Sequence, residues 1–180
     1  MNERTYSSGV ERLRSKERTE RMQVEKVADL CTQEFEIKSL LDIGTGSGLF
    51  AEEFDKRNIS VTGVDLNPEM IEAARKYLPL SKFEVAPAES LPFPEKSFDL
   101  VFMGLVFHEV DDYKKVLEEA KRVAVKAVAV YDWNYEMQNF GPPIEHRVKS
   151  DFIEQLALQA GFTGFKSFKL TYFTLYILKK

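Results

Sequence analysis

The 180-residue chain has one cysteine, Cys31, which excludes an internal disulfide and any cysteine-based metal cluster. It has no excess of positive charge. The 25 Lys and Arg against 29 Asp and Glu leave a net charge of −4. That argues against tracking a phosphate backbone, which needs a basic stripe. No apolar run approaches the roughly 20 residues that span a bilayer. The opening "MNERTYSSGVERLRSKERTERM" has no apolar centre and does not read as a signal peptide. Repeats, low-complexity tracts and linkers are also missing. Together these absences predict a cytoplasmic chain of one domain with a small or neutral partner.

What is present is ordinary for a protein with a core: 44% hydrophobic residues. Residues 1–36 are charge-rich, with Val24, Val27, Ala28 and Cys31 at helical spacing. They predict one or two surface helices ahead of a core at 37–180. Strands and helices then alternate. Ser39–Ile43, Ser60–Val64, Lys82–Ala86, Phe98–Met103 and Lys126–Tyr131 read as strands. Ser47–Arg57, the stretch from Asn67 to Pro79, Asp112–Val123 and Ser150–Ala160 read as helices. Asn67 and Ser150 are the expected caps of their helices. The link 87–97 holds three prolines and predicts a loop. Thr163–Lys169 and Tyr172–Leu178 are expected to close the chain as a hairpin. Such alternation implies an α/β fold, a parallel sheet with helices on both faces, binding ligands at the carboxyl ends of its strands.

Attention therefore falls on the residues just past each strand. "LLDIGTGSGLF" places Gly44, Gly46 and Gly48 at alternate positions after the first strand. Glycine permits a tight turn and a close approach of backbone to ligand. A ligand-free tight turn is the competing explanation of the glycines alone. Leu49 and Phe50 break a G-x-G-x-x-G pattern, and no Gly-Lys-Ser/Thr comes after them, so dinucleotide and P-loop readings fit less well. Asp65 follows the second strand, 17 residues past Gly48, where a carboxylate can accept from both ribose hydroxyls. The alternative is a loop aspartate that caps the next helix. After the third strand, Ala88-Glu89 could meet a base edge; after the fourth, Met103-Gly104 lets a ligand lie close.

Asp42-x-Gly44-x-Gly46-x-Gly48, Asp65, Ala88-Glu89 and "FDLVFMGLVFHEVDD" together resemble the successive motifs of class I S-adenosylmethionine-dependent methyltransferases. The resemblance is to small-molecule enzymes similar to quinone-biosynthesis methyltransferases and covers about residues 35–178. It implies a Rossmann-like three-layer sandwich, with a seven-stranded, mostly parallel sheet and an antiparallel C-terminal strand. It implies S-adenosyl-L-methionine as cofactor and S-adenosyl-L-homocysteine as product. By the resemblance Gly44, Gly46 and the nearby backbone line the methionine portion, and Asp42 orders the loop or meets the amino group. Asp65 holds the ribose, Leu66 lies on the adenine, Ala88 and Glu89 run along its edge, and Met103 and Gly104 floor the sulfonium. Thr45, Gly48, Met70 and Ser90 complete the candidate set. The chain departs from the pattern in two ways. "RVAVKAVAV" replaces the usual Pro-Gly-Gly stretch before strand five, and no large insertion forms a substrate cap.

Methyl transfer needs alignment and exclusion of water, with a general base for some acceptors. Candidates on the acceptor side are Tyr6, His108, Asp132, Trp133, Asn134, His146 and Arg147. His108 is the first choice for a base or orienting group, against a packed or capping histidine. Asp132 is equally a loop or capping aspartate; His146 and Arg147 equally form a surface pair. The phenylalanines of 98–107 read as core. "HEVDD" lacks the second histidine of a zinc helix, and no catechol-type carboxylate set appears, so no metal is expected. A small-molecule methyltransferase is the leading expectation. A non-catalytic S-adenosylmethionine-binding protein, a protein methyltransferase and, less well, a nicotinamide oxidoreductase are the alternatives.

Overall fold

The computed structural model describes residues 9–180; Tyr6 lies outside them. The seven strands are β1 Ser39–Ile43, β2 Ser60–Asp65, β3 Lys82–Val85, β4 Phe98–Gly104, β5 Ala124–Trp133, β6 Gly164–Lys169 and β7 Phe173–Lys179. They form one sheet in the order β3-β2-β1-β4-β5-β7-β6. The pairs from β3 to β5 are parallel, and β7 runs antiparallel to both β5 and β6. The order reverses between β1 and β4, which opens a crevice beyond their carboxyl ends.

Period-two alternation sends successive side chains to opposite faces. Leu40, Leu100, Phe102 and Ala129 face one layer, packed by α3 (Val24–Thr32), α4 (Leu49–Asp55) and α5 (Pro68–Tyr77). Leu41, Val101, Met103 and Val130 face the other, packed by α6 (Tyr113–Val123) and α7 (Ser150–Gln159). Both faces are covered, which is why β4 and β5 read as near-continuous apolar runs. The result is the expected three-layer α/β sandwich. The 87–97 link contains no helix, so β3 reaches β4 without a crossover helix.

Several local expectations hold and some need correction. Asn67 caps α5, its side chain accepting from the Glu69 N–H at 2.9 Å, with Pro68 as the first helical residue. Among the described residues three short helices precede β1, α1 (Val10–Leu13), α2 (Lys16–Met22) and α3. The Ser15 cap and the left-handed Gln23 (φ 49°) break what reads as one or two. α3 lays the Val24, Val27, Ala28 and Cys31 stripe on the core and keeps Glu25, Lys26 and Asp29 exposed, as the helical spacing predicts. Ser150 is not the cap of α7. Lys149 occupies that position, and Ser150 Oγ lies 2.6 Å from the Tyr176 hydroxyl instead. β5 is longer than expected, extended at both ends by pairing with β4 and β7. Among the described residues no helix is long and apolar enough to cross a membrane.

Candidate functional site

The crevice begins at the turn between β1 and α4. Gly44, Gly46 and Gly48 all have left-handed backbone, with φ of +67°, +53° and +77°. The N–H groups of Gly44 and Thr45 both donate to Val64 O, at 2.8 and 3.0 Å, which seats the turn on the end of β2. At Gly44 a Cβ would lie 2.5 Å from Val106 Cγ2, so the segment after β4 rests directly on the turn. Asp65 ties the two loops together. Its Oδ2 accepts from the Gly46 N–H at 2.9 Å and its Oδ1 from the Asn67 N–H at 2.9 Å. Burial pushes the Asp65 carboxyl above its ordinary range, against the hydrogen bonds from Asn67, Gly46 and Leu66.

Asp42 is buried beneath the turn and accepts from Thr45 Oγ1 at 2.7 Å. Burial pushes its carboxyl up to about 7; the Thr45 bond opposes the rise and the charge of Asp65 adds to it. Ser47 Oγ is buried without a hydrogen-bond partner among the described residues. Of the other cofactor-side candidates, Leu66 is 64% exposed, and Met70 and Ala88 are buried. Glu89 is half-buried, Ser90 exposed, and the buried Met103 leads into Gly104 at the end of β4.

Two N-terminal residues join the site without any signal in the sequence. Leu13 Cδ1 lies 3.8 Å from the place a Cβ would take on Gly46. Arg14 donates to Ser47 O at 2.9 Å, pairs with Glu52, and sets its guanidinium 3.6 Å from the centre of the Tyr77 ring. α1 and Arg14 thus cover the glycine turn.

The ends of β4 and β5 form a different kind of structure, built from side chains. Leu105, directly after Gly104, has φ +58°, a strained value for a leucine. Its N–H donates to Tyr131 O at 2.8 Å. The buried Asp132 accepts the backbone N–H of His108 at 2.9 Å on Oδ2. Its Oδ1 lies 2.8 Å from His108 Nδ1 and accepts the Trp133 N–H at 2.7 Å. Burial disfavours charge on His108, but the Asp132 carboxylate outweighs it, with help from Glu109, and raises the histidine above its ordinary range. His108 and Asp132, 24 residues apart, are therefore one unit.

Of the other acceptor-side candidates, Arg147 and Asn134 have their polar side chains engaged within the 134–147 loop and its surroundings. Arg147 is buried and donates to the carbonyls of Pro142, Asn134, Glu136 and Phe140 at 2.7–3.1 Å. It is no surface partner of His146, which is half-buried in the short turn Ile144–His146. Asn134 accepts from Thr174 Oγ1 at 2.7 Å and donates to Leu170 O at 3.2 Å. Trp133 packs on Phe173, ring centres 4.6 Å apart, under Gly141.

A parallel sheet whose glycine turn and second-strand carboxylate meet at the order reversal defines a class of nucleoside-binding α/β proteins. The sequence profile of the family described as "Methyltransferase domain" matches residues 41–130, half of the chain, from β1 to β5. The chain belongs to this family, within the class I S-adenosylmethionine-dependent methyltransferases. It is 40% identical over 97 residues to the ubiquinone/menaquinone biosynthesis C-methyltransferase UbiE of Rickettsia bellii, covering 47% of this chain and 39% of that one. It is 34% identical over 88 residues to the demethylmenaquinone methyltransferase of Thermotoga maritima, covering 48% and 38%. The matches thus span about two fifths of these relatives' length. The crystal structure of a SAM-dependent methyltransferase from Aquifex aeolicus superposes with a TM-score of 0.77 at 27% identity, covering 94% of this chain and 96% of that one.

Proposed function

We propose that residues 9–180 work as one unit that binds S-adenosyl-L-methionine in the crevice and moves its methyl group to a small-molecule acceptor in the cytoplasm. The observation that carries this reading is the junction of Gly46 and Asp65: a glycine backbone turn at the strand-order reversal, tied to a carboxylate with unused acceptor sites. The residues present fit the group. Three left-handed glycines leave alternate positions of the turn without side chains, and the buried Ser47 hydroxyl lacks a partner among the described residues. Leu66 offers exposed apolar surface beside Asp65. The net charge of −4 favours a small acceptor over nucleic acid. The names of the two relatives, both quinone methyltransferases, also favour a small molecule.

When bound, the cofactor supplies an electrophilic methyl group on a sulfonium. Asp65 would hold the ribose hydroxyls, with Leu66, Met70, Ala88, Glu89 and Ser90 around the adenine. Asp42, Gly44, Thr45, Gly46, Ser47 and Gly48 would surround the methionine end, and Met103 and Gly104 would form the floor beneath the sulfonium. Val106 and Leu13, packed on Gly44 and Gly46, would exclude water from that end.

Titration calorimetry with S-adenosyl-L-methionine and S-adenosyl-L-homocysteine tests the reading. Saturable one-to-one binding of both at micromolar concentrations is expected. No binding of either at millimolar concentration overturns it.

A further inference from the structure

The link between β3 and β4 carries the residues placed around the adenine, and it has no helix of its own to satisfy its backbone groups. Residues 87–90 make a turn, with the Ser90 N–H donating to Pro87 O at 3.2 Å and Ala88 and Glu89 at the tip. The entry to the turn is fastened to β2, where the Ala86 N–H donates to Asp65 O at 3.1 Å. The exit is Leu91, and it is fastened to two side chains of α6.

Glu119 and Arg122 lie one turn apart on the same face of that helix. Glu119 Oε2 accepts the Leu91 N–H at 2.9 Å. Arg122 donates from Nη2 to Leu91 O at 3.0 Å and from Nη1 to Phe93 O at 2.7 Å. Two further bonds, at 2.8 and 2.9 Å, join its guanidinium to both oxygens of Glu119. The guanidinium holds the Glu119 carboxyl below its ordinary range, so both groups are charged at neutral pH. Pro92 and Pro94 have no N–H and bar a helix here, so the carbonyls of Leu91 and Phe93 need a side-chain donor. A planar guanidinium has donors enough to reach both and still grip Glu119. Beyond Pro94 the link stays on the helix end, the Lys96 and Ser97 N–H groups donating to Arg122 O and Val123 O at 2.9 and 2.8 Å. The tip is thus held on one side by the backbone of Asp65 and on the other by an ion pair of α6.

We propose, on the reading that the crevice binds S-adenosyl-L-methionine, that Glu119 and Arg122 are positioning residues for the base of the cofactor. By holding Leu91 they set the Ala88–Glu89 tip where it reads the adenine edge. Neither side chain is placed in contact with the cofactor. The tip offers the Ala88 N–H as a donor and the Glu89 carboxylate as an acceptor. Adenine offers the complement, a ring nitrogen that accepts and a 6-amino group that donates. Hypoxanthine, with oxygen in place of that amino group, reverses both. Polar groups reject such a reversal only when they are held in place. A released tip swings aside and loses the preference, while the glycine turn and Asp65 still hold the rest of the ligand.

Calorimetry with S-adenosyl-L-homocysteine and S-inosyl-L-homocysteine tests this without knowing the acceptor. The unaltered protein should prefer the adenine form by at least about 30-fold. In Arg122→Leu, and independently in Glu119→Ala, the preference should drop to about threefold or less, with the loss falling on the adenine form. Arg122→Lys keeps one charged donor and should show an intermediate preference. A merely structural role would weaken both ligands alike and leave their ratio unchanged. An unchanged ratio in any of the three variants, or no preference in the unaltered protein, would overturn the proposal and leave the cofactor reading standing. If the unaltered protein binds neither S-adenosyl-L-methionine nor S-adenosyl-L-homocysteine, the cofactor reading falls and this proposal falls with it.

Discussion

The crevice has two halves made from different materials. The half at β1 and β2 is mostly backbone: three left-handed glycines, N–H groups on Val64 O, and one carboxylate joining Gly46 to Asn67. The half at β4 and β5 is made of buried side chains: His108 on Asp132, and Arg147 on four carbonyls. A backbone-built half suits a ligand whose shape is constant, because a turn and a helix start repeat the same geometry whatever surrounds them. A half built from side chains can be re-specified by a few substitutions, and that suits an acceptor that differs from one enzyme to the next.

The most damaging change to the first half is Gly44→Ala. The new methyl group needs the space of Val106 and a backbone conformation disfavoured for alanine. Affinity for S-adenosyl-L-homocysteine should fall roughly 100-fold or more, read by calorimetry. Arg147→Ala attacks the second half. It leaves four carbonyls without their donor and should cost about 2–4 kcal/mol in urea unfolding, while cofactor affinity changes little. Asp65→Asn keeps the size but removes the charged acceptor, and should weaken the same affinity by about 10- to 100-fold.

A further effect is a pH slope. The Asp42 carboxyl is raised from 3.8 to about 7 on folding, so the folded chain holds a proton that the unfolded chain releases. Its contribution to stability is full below about 4 and is lost as pH rises through about 7. His108, also raised, adds a decline above the ordinary histidine range. In Asp42→Asn the slope between about 4 and 7 should flatten, as measured by urea midpoints across pH.

The same contrast explains what could be read from the sequence. The glycine turn, Asp65, the Asn67–Pro68 start of α5 and the broken 87–97 link are local signals, and each predicts its own structure. The strand periodicities and the closing hairpin likewise point to the α/β sandwich. His108 and Asp132 are separately visible as polar residues after strands, but their pairing exists only because β4 and β5 lie side by side in register. Arg147 looks like a surface residue before a helix; the bent loop over Trp133 needs its donors, and nothing local announces that. Leu13 and Arg14 belong to a four-residue helix and its exit, too short for any periodicity to show where they pack. Ser150 has the identity of a cap, yet the Tyr176 hydroxyl claims its side chain.

On the proposed function the two halves divide the work: one would hold the cofactor and the other would serve the acceptor. A side-by-side calorimetric titration of S-adenosyl-L-homocysteine into Asp65→Asn and His108→Gln tests that division without an acceptor in hand. Affinity should fall about 10- to 100-fold in the first and stay within about threefold in the second. Equal losses in the two variants, or full affinity in Asp65→Asn, would refute the division.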